Sequence, residues 1–107
     1  MSPRLLPLLA TALFMTVMAA PMATASPEFF LEEVREKVQT PITDGQALRL
    51  GDVACRALRA GVEKGLTFGQ ARNEADNAVG SASQQLGLGL TLADGMFLVE
   101  AAEHQLC

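Results

Sequence analysis

Aromatic and basic residues are scarce in this chain. Its 107 residues include no tryptophan, no tyrosine and one histidine, and 8 lysines and arginines stand against 12 aspartates and glutamates. The acidic balance argues against a nucleic-acid partner, because binding the phosphate backbone requires clustered lysine and arginine side chains. The chain also has no alternating apolar run of useful length, so no strand is predicted. These shortages favour an all-helical protein.

The first 25 residues are predicted to be a signal peptide. Arg4 is followed by an uncharged stretch over residues 5–20, which has the length of a signal-peptide core and is shorter than a bilayer-spanning helix. The sequence Ala23-Thr24-Ala25 then supplies the small residues that signal peptidase requires. We expect cleavage after Ala25, a product that is secreted or held in the cell envelope, and no membrane span after cleavage. An uncleaved anchor is the alternative.

Removal of residues 1–25 leaves one small acidic domain over residues 26–107. This product has 82 residues and a formal charge of −5, because Arg4 is the only charged residue that is lost. The acidic residues are spread along the chain, which favours a role in solubility. Both cysteines stay in the product, and two cysteines in an exported protein most simply form a disulfide. A Cys55–Cys107 disulfide closing about 50 residues would stabilise so small a domain by about 4 kcal/mol.

Four amphipathic segments predict a bundle of three to four helices. Each begins with a residue that can cap a helix, and the segments cover residues 26–38, 43–62, 67–86 and 91–107. Low-propensity residues in the third segment leave a break near Gly80 open. Gly51 on the buried face of the second segment indicates a close crossing by another element.

The apolar positions of these segments predict the core and one exposed surface. The core is expected to contain Leu31, Val34, Leu48, Leu58, Phe68, Val99 and Leu106, and Met96 and Phe97 are also expected to be buried. Phe29 and Phe30 point about 100° apart on a helix, so both need not be buried. Phe29, Phe30 and Leu31 are therefore the candidate partner surface.

Three groups of residues in the mature region recur together in one family. They are Phe29-Phe30-Leu31 at the first helix, then Gly51, Cys55, Leu58 and Gly61, and finally Leu90, Thr91, Phe97, Ala101, Ala102 and Cys107. In this order, after a signal peptide, they resemble a family of small exported proteins from mycobacteria and related actinobacteria, the domain of unknown function 732. The resemblance covers residues 28–107. It implies an all-helical fold with Cys55 bridged to Cys107, and it assigns no catalytic residue.

The chemically versatile side chains do not form a recognisable catalytic or metal-binding set. Cys55, His104 and Cys107 could be read as metal ligands or as a thiol and its base, but a structural zinc site needs four ligands and catalysis needs a free thiolate. The carboxylates Glu32, Glu33 and Glu36, and also Glu100 and Glu103, fit solvated helix faces better than an acid and base pair. We therefore predict no metal, no cofactor and no catalytic residue.

The functional prediction is accordingly modest. A small exported interaction protein without enzymatic activity is the first hypothesis. A carrier of a small apolar ligand, lipid or haem, held between the first helix and the alanine-lined third helix, is the alternative. An enzyme would require a polar cleft that the sequence does not supply.

Overall fold

The four predicted helices are confirmed in a computed structural model of the protein, which describes residues 25–107. They are α1 (Pro27–Lys37), α2 (Asp44–Glu63), α3 (Phe68–Leu86) and α4 (Leu92–Gln105), and this part of the chain contains no strand. The predicted signal peptide lies outside the described residues, except for Ala25. None of the helices between residues 25 and 107 has both the length and the apolar character needed to cross a membrane.

Side-chain caps set the beginning of every helix. Ser26 accepts a hydrogen bond from the backbone of the first turn of α1, and Pro27 occupies the first helical position. Thr43 and Thr67 each form a complete capping box, with Gln46 and Gln70 respectively. These short-range motifs explain why the predicted helix starts are confirmed to within about one residue.

Glycines at positive φ end two of the helices. Gly65, at φ 87°, follows α2, and Gly87, at φ 67°, ends α3 in the left-handed conformation that glycine adopts without steric cost. The backbone of Leu88 donates to Ser83 O at 3.0 Å, which satisfies a carbonyl at the end of α3. The open question of a break near Gly80 is resolved, because α3 runs unbroken for 19 residues.

The core lies where α4 meets the other three helices. Phe30, Leu50, Val79, Leu98 and Val99 are its largest fully buried side chains. α4 contacts α1, α2 and α3, whereas α1 and α3 make no contact with each other within residues 25–107. The two helices between which the ligand of the alternative hypothesis was expected therefore do not pack against each other.

Two glycines allow close helix crossings. A Cβ atom on Gly51 would lie 2.6 Å from Leu106 Cδ1 and 2.9 Å from Phe30 Cζ, so the close crossing predicted at Gly51 is confirmed. A Cβ atom on Gly61 would lie 2.7 Å from the Cβ of Ala71, where α2 and α3 pack together. Both glycines are needed because the neighbouring side chains occupy the space that a methyl group would require.

The predicted disulfide is present. Cys55, in α2, is joined to Cys107, two residues after α4, and the two Cα atoms are 5.3 Å apart. The bond attaches the end of α4 to the middle of α2. The backbone of Ser26 also donates to Gln105 O at 2.7 Å, so the start of α1 is held at this same end of α4.

The predicted core is correct in part. Val34, Leu58 and Val99 are buried, and Leu31, Leu48 and Leu106 are half-buried against the core. The prediction is wrong for Phe68, Met96 and Phe97, which are 50%, 50% and 40% exposed. Phe68 lies on the same side of α3 as Ala71, Ala75 and Val79, but it is the first residue of the helix and half of it stays exposed at that end. The buried face of α4 passes through Leu98 and leaves Met96 and Phe97 on the outside.

Candidate binding groove between α3 and α4

A groove runs along the outer side of the hairpin that α3 and α4 form. Its cavity has a volume of about 440 Å³, which lies within the range typical of ligand sites. The lining residues come from the second half of α3, the loop and the first turn of α4, and they are Asp76, Asn77, Val79, Gly80, Ser81, Gln84, Leu90, Thr91, Leu92 and Gly95. Apolar and polar side chains are therefore both present, from two helices held by short caps.

Two glycines inside the helices leave this groove open. Gly80 lies in the middle of α3 and Gly95 in the first half of α4, where glycine costs about 1 kcal/mol relative to alanine. Unlike Gly51, neither glycine is required by packing. Within the described residues, a Cβ atom on Gly80 would meet nothing within 4 Å, and one on Gly95 would meet only Val79 Cγ1 at 4.0 Å. The effect of the two glycines is to keep side chains out of the groove.

Asp76 is the charged residue of the groove. Its Oδ1 atom is buried and has no hydrogen-bond partner in the part of the chain that the structure describes. Burial raises the pKa of Asp76, and the positive charge of Arg72 one turn earlier opposes that rise only in part. Arg72 is itself engaged elsewhere, because it donates to Glu103 Oε2 at 2.9 Å and its guanidinium lies 5.1 Å from the centre of the Phe68 ring. The carboxylate of Asp76 thus lacks a full set of donors.

An exposed apolar strip continues from the groove along α4. Leu92 lines the groove and is still 77% exposed, and Met96 follows it one turn later, 50% exposed. The opposite face of the same turns carries Leu98 and Val99, which are fully buried. α4 is therefore apolar on both faces, although only one face packs against the rest of the protein.

The predicted partner surface on α1 is only partly present. Phe29 is 59% exposed and Leu31 is half-buried. Phe30 is fully buried, because it packs against Gly51 of α2, where the missing side chain makes room for its ring. Phe30 therefore does not belong to this surface, and Phe29 and Leu31 stay predicted as its members.

The structure does not bring His104 and the cysteines together as a chemical site. Both thiols are consumed by the disulfide. His104 is exposed near the end of α4, and its Nδ1 atom lies 3.2 Å from Glu33 Oε2. Within the described residues, no group of three histidine, cysteine, aspartate or glutamate side chains is placed to hold a metal ion.

Of the predicted surface carboxylates, Glu32 and Glu36 are exposed, whereas Glu33, Glu100 and Glu103 make contacts between helices. Glu33 accepts hydrogen bonds from Lys37 and Gln105 and lies beside His104. Burial would raise the pKa of Glu33, but these contacts outweigh it and the pKa lies below its usual value. Glu33 thus connects α1 to the end of α4.

Asp94 has a role that the sequence does not reveal. Its backbone N–H donates to Thr91 Oγ1 at 3.0 Å, which confirms the predicted cap. Its buried carboxylate accepts hydrogen bonds from Gln39 N at 3.1 Å, from Thr40 N at 3.0 Å and from the Thr40 hydroxyl. The hydrogen bond from the Thr40 hydroxyl, with those from the two backbone groups, holds the pKa of Asp94 below its usual value despite burial. The sequence carries no signal of this role, because Gln39 and Thr40 lie 55 and 54 residues away from Asp94 along the chain.

Comparison of the chain with protein-family models, with curated proteins and with solved structures finds no match.

Proposed function

We propose that the protein is a small exported binding protein without enzymatic activity, and that the groove between α3 and α4 is its binding site. The observation that carries this proposal is the pair Gly80 and Gly95. Each lies inside a helix at a cost in stability, packing requires neither, and both line the same groove. An open groove is the feature that accounts for both glycines.

Export to the cell envelope or the medium is supported by two features of the chain. Residues 5–20 and the sequence Ala23-Thr24-Ala25 have the pattern of a cleavable signal peptide. The Cys55–Cys107 disulfide is of the kind that persists in oxidising compartments. We also propose membership of the domain of unknown function 732 family, supported by the order of the three groups of residues named above.

The absence of enzymatic activity is part of the proposal. The two cysteines form a disulfide, and the perturbed carboxylates Glu33 and Asp94 accept hydrogen bonds that join helices. These groups therefore have structural roles that account for their positions. Turnover of an ester, peptide or glycan substrate by the purified protein would contradict this part of the proposal.

A second candidate function is carriage of a small apolar ligand in the same groove. Val79, Leu90 and Leu92 give the lining an apolar part, which suits a lipid chain. Haem fits this lining less well, because none of the ten lining residues is a histidine, methionine, cysteine or tyrosine that could bind its iron. A mass that co-purifies with the protein from its own host would favour the carrier.

Site-specific photocrosslinking in the producing organism tests the groove. A photoreactive phenylalanine analogue replaces Gln84 at the rim of the groove, and a matched control carries the same analogue at the exposed Arg49 on α2. We expect an adduct from position 84 and none from position 49. In a Gly80→Leu background, whose new side chain fills the groove, the adduct at position 84 should disappear. An adduct that survives this substitution, or no adduct from position 84, would contradict the proposed site.

A further inference from the structure

The charge of the groove is of one sign. Among the described residues that line it, Asp76 is the only one with a charged side chain. The domain that contains it is acidic as a whole, with 12 acidic residues in the full chain and only 8 basic ones. An anionic occupant would therefore meet a carboxylate and no compensating cation inside the groove, whereas a cationic occupant would find a partner.

The carboxylate of Asp76 also has unused hydrogen-bonding capacity. An ionised carboxylate has about four acceptor positions. Oδ1 is buried and has no donor among the described residues, so the carboxylate meets the groove through Oδ2, which accepts no side-chain or backbone hydrogen bond from them. A donor brought by an occupant would form a hydrogen bond to a charged acceptor, and such hydrogen bonds are stronger than those between neutral groups.

The rest of the lining suits an aliphatic stem. Val79, Leu90 and Leu92 provide apolar contacts, and Gly80 and Gly95 leave the width that a chain of methylene groups needs. Lysine and arginine combine such a stem with a terminal cation. The polar residues at the rim of the groove, Asn77 and Ser81 among them, can accept further hydrogen bonds.

The occupant is a macromolecule because the apolar surface extends beyond the groove. Leu92 borders the cavity and is 77% exposed, and Met96 continues the strip one turn further along α4. A small amine inside the groove would leave this strip exposed, whereas a protein segment with apolar residues beside its basic residue covers the groove and the strip together. We infer, on the basis of the proposed function, that the groove receives a lysine or arginine side chain from an apolar segment of a partner protein, with Asp76 as the acceptor for its cation.

Four short peptides test this inference in the oxidised domain. They are N-acetylated and C-amidated pentapeptides, Leu-Ala-Lys-Ala-Leu and its variants with arginine, norleucine or glutamate in the centre. Their binding is followed by the amide NMR shifts of residues in the groove, such as Ser81 and Gly95. We expect saturable shifts with the lysine and arginine peptides, at least about 10-fold weaker binding of the norleucine peptide, and no saturable shifts with the glutamate peptide.

Matched variants separate the charge of the groove from its shape. Asp76→Asn should reduce the difference between the lysine and norleucine peptides to less than about 2-fold, while Asp52→Asn on the exposed face of α2 leaves it unchanged. Gly80→Leu should abolish binding of every peptide and melt at or above the temperature of the unmodified domain, because it fills open space and removes a helix-interior glycine. The control Gly69→Ala, where a Cβ atom also meets nothing within 4 Å, should keep binding unchanged.

The outcomes distinguish the inference from the proposed function. Equal binding of the lysine and norleucine peptides, sensitive to Gly80→Leu, would overturn the role of Asp76 and leave the groove as a binding site. Binding of free n-butylammonium as tightly as the lysine peptide would overturn the protein partner in favour of a small amine. No groove shifts with any peptide would overturn the inference, and the crosslinking experiment would then decide the proposed function by itself.

Discussion

Replacement of Asp94 by alanine removes a carboxylate that ties α4 to the segment between α1 and α2. Three hydrogen bonds are lost, from the backbone of Gln39, from the backbone of Thr40 and from the Thr40 hydroxyl. Hydrogen bonds to a charged group contribute about 1.5–3 kcal/mol each, and rehydration of the partly exposed donors lowers the total. We therefore expect Asp94→Ala to lower the free energy of unfolding by about 3 kcal/mol.

A matched control separates this effect from the general loss of an acidic side chain. Asp52, on α2, forms an ion pair with Arg56 at 2.9 Å, but both side chains are 65% exposed. Exposed pairs of this kind contribute about 0.5 kcal/mol or less. Urea unfolding of the oxidised proteins should show a much lower midpoint for Asp94→Ala than for Asp52→Ala, with similar slopes.

The pH dependence follows from the direction of the pKa shift of Asp94. Hydrogen bonding in the folded state lowers this pKa, so the contribution of the carboxylate is fully present above the pKa of the unfolded state, about 3.9. It is lost as the pH falls through the lower pKa of the folded state. The difference between the unmodified protein and Asp94→Ala should therefore be constant near neutral pH and shrink below about pH 4. Equal urea midpoints for Asp94→Ala and Asp52→Ala at pH 7 would refute this reasoning.

Three further predictions concern the disulfide, the glycines and the signal peptide. Replacement of both cysteines by alanine should lower the free energy of unfolding by about 4 kcal/mol, and equal melting temperatures for reduced and oxidised protein would contradict this. Gly51→Ala should destabilise the protein by about 1–3 kcal/mol, because the new methyl group would overlap Leu106 and Phe30. Gly80→Ala should stabilise it by up to about 1 kcal/mol, because the methyl group meets open space and alanine favours the helix. Thermal unfolding of the two variants compares these effects directly. Mass spectrometry of the exported protein should find Ser26 as its first residue, and a product that retains residues 1–25 would contradict cleavage.

Local signals in the sequence were sufficient for the helices. The two residues of each capping box lie three positions apart, Thr43 with Gln46 and Thr67 with Gln70. They form the same capping hydrogen bonds independently of the tertiary structure. Gly51 could be interpreted as a close crossing because it interrupts an otherwise apolar face. Its neighbours Phe30 and Leu106 could not be predicted, because they come from distant parts of the chain.

The faces of α4 could not be predicted from hydrophobicity. Leu92, Met96 and Phe97 are as apolar as Leu98 and Val99, so composition alone does not show which set is buried. Asp94 would have indicated which face of α4 is buried only if it had been known that Gln39 and Thr40 lie opposite it. The groove depends likewise on the alignment of Gly80 with Gly95, which is set by the packing of α3 on α4.

The disulfide closes a covalent ring over residues 55–107, and α1 lies outside that ring. α1 is held by the burial of Phe30 and Val34 and by hydrogen bonds at its two ends, and only residues 38–43 connect it covalently to α2. Detachment of α1 therefore leaves the ring intact and opens the site that Phe30 fills beside Gly51. The bond that stabilises the domain thus places no covalent restraint on the docking of its first helix.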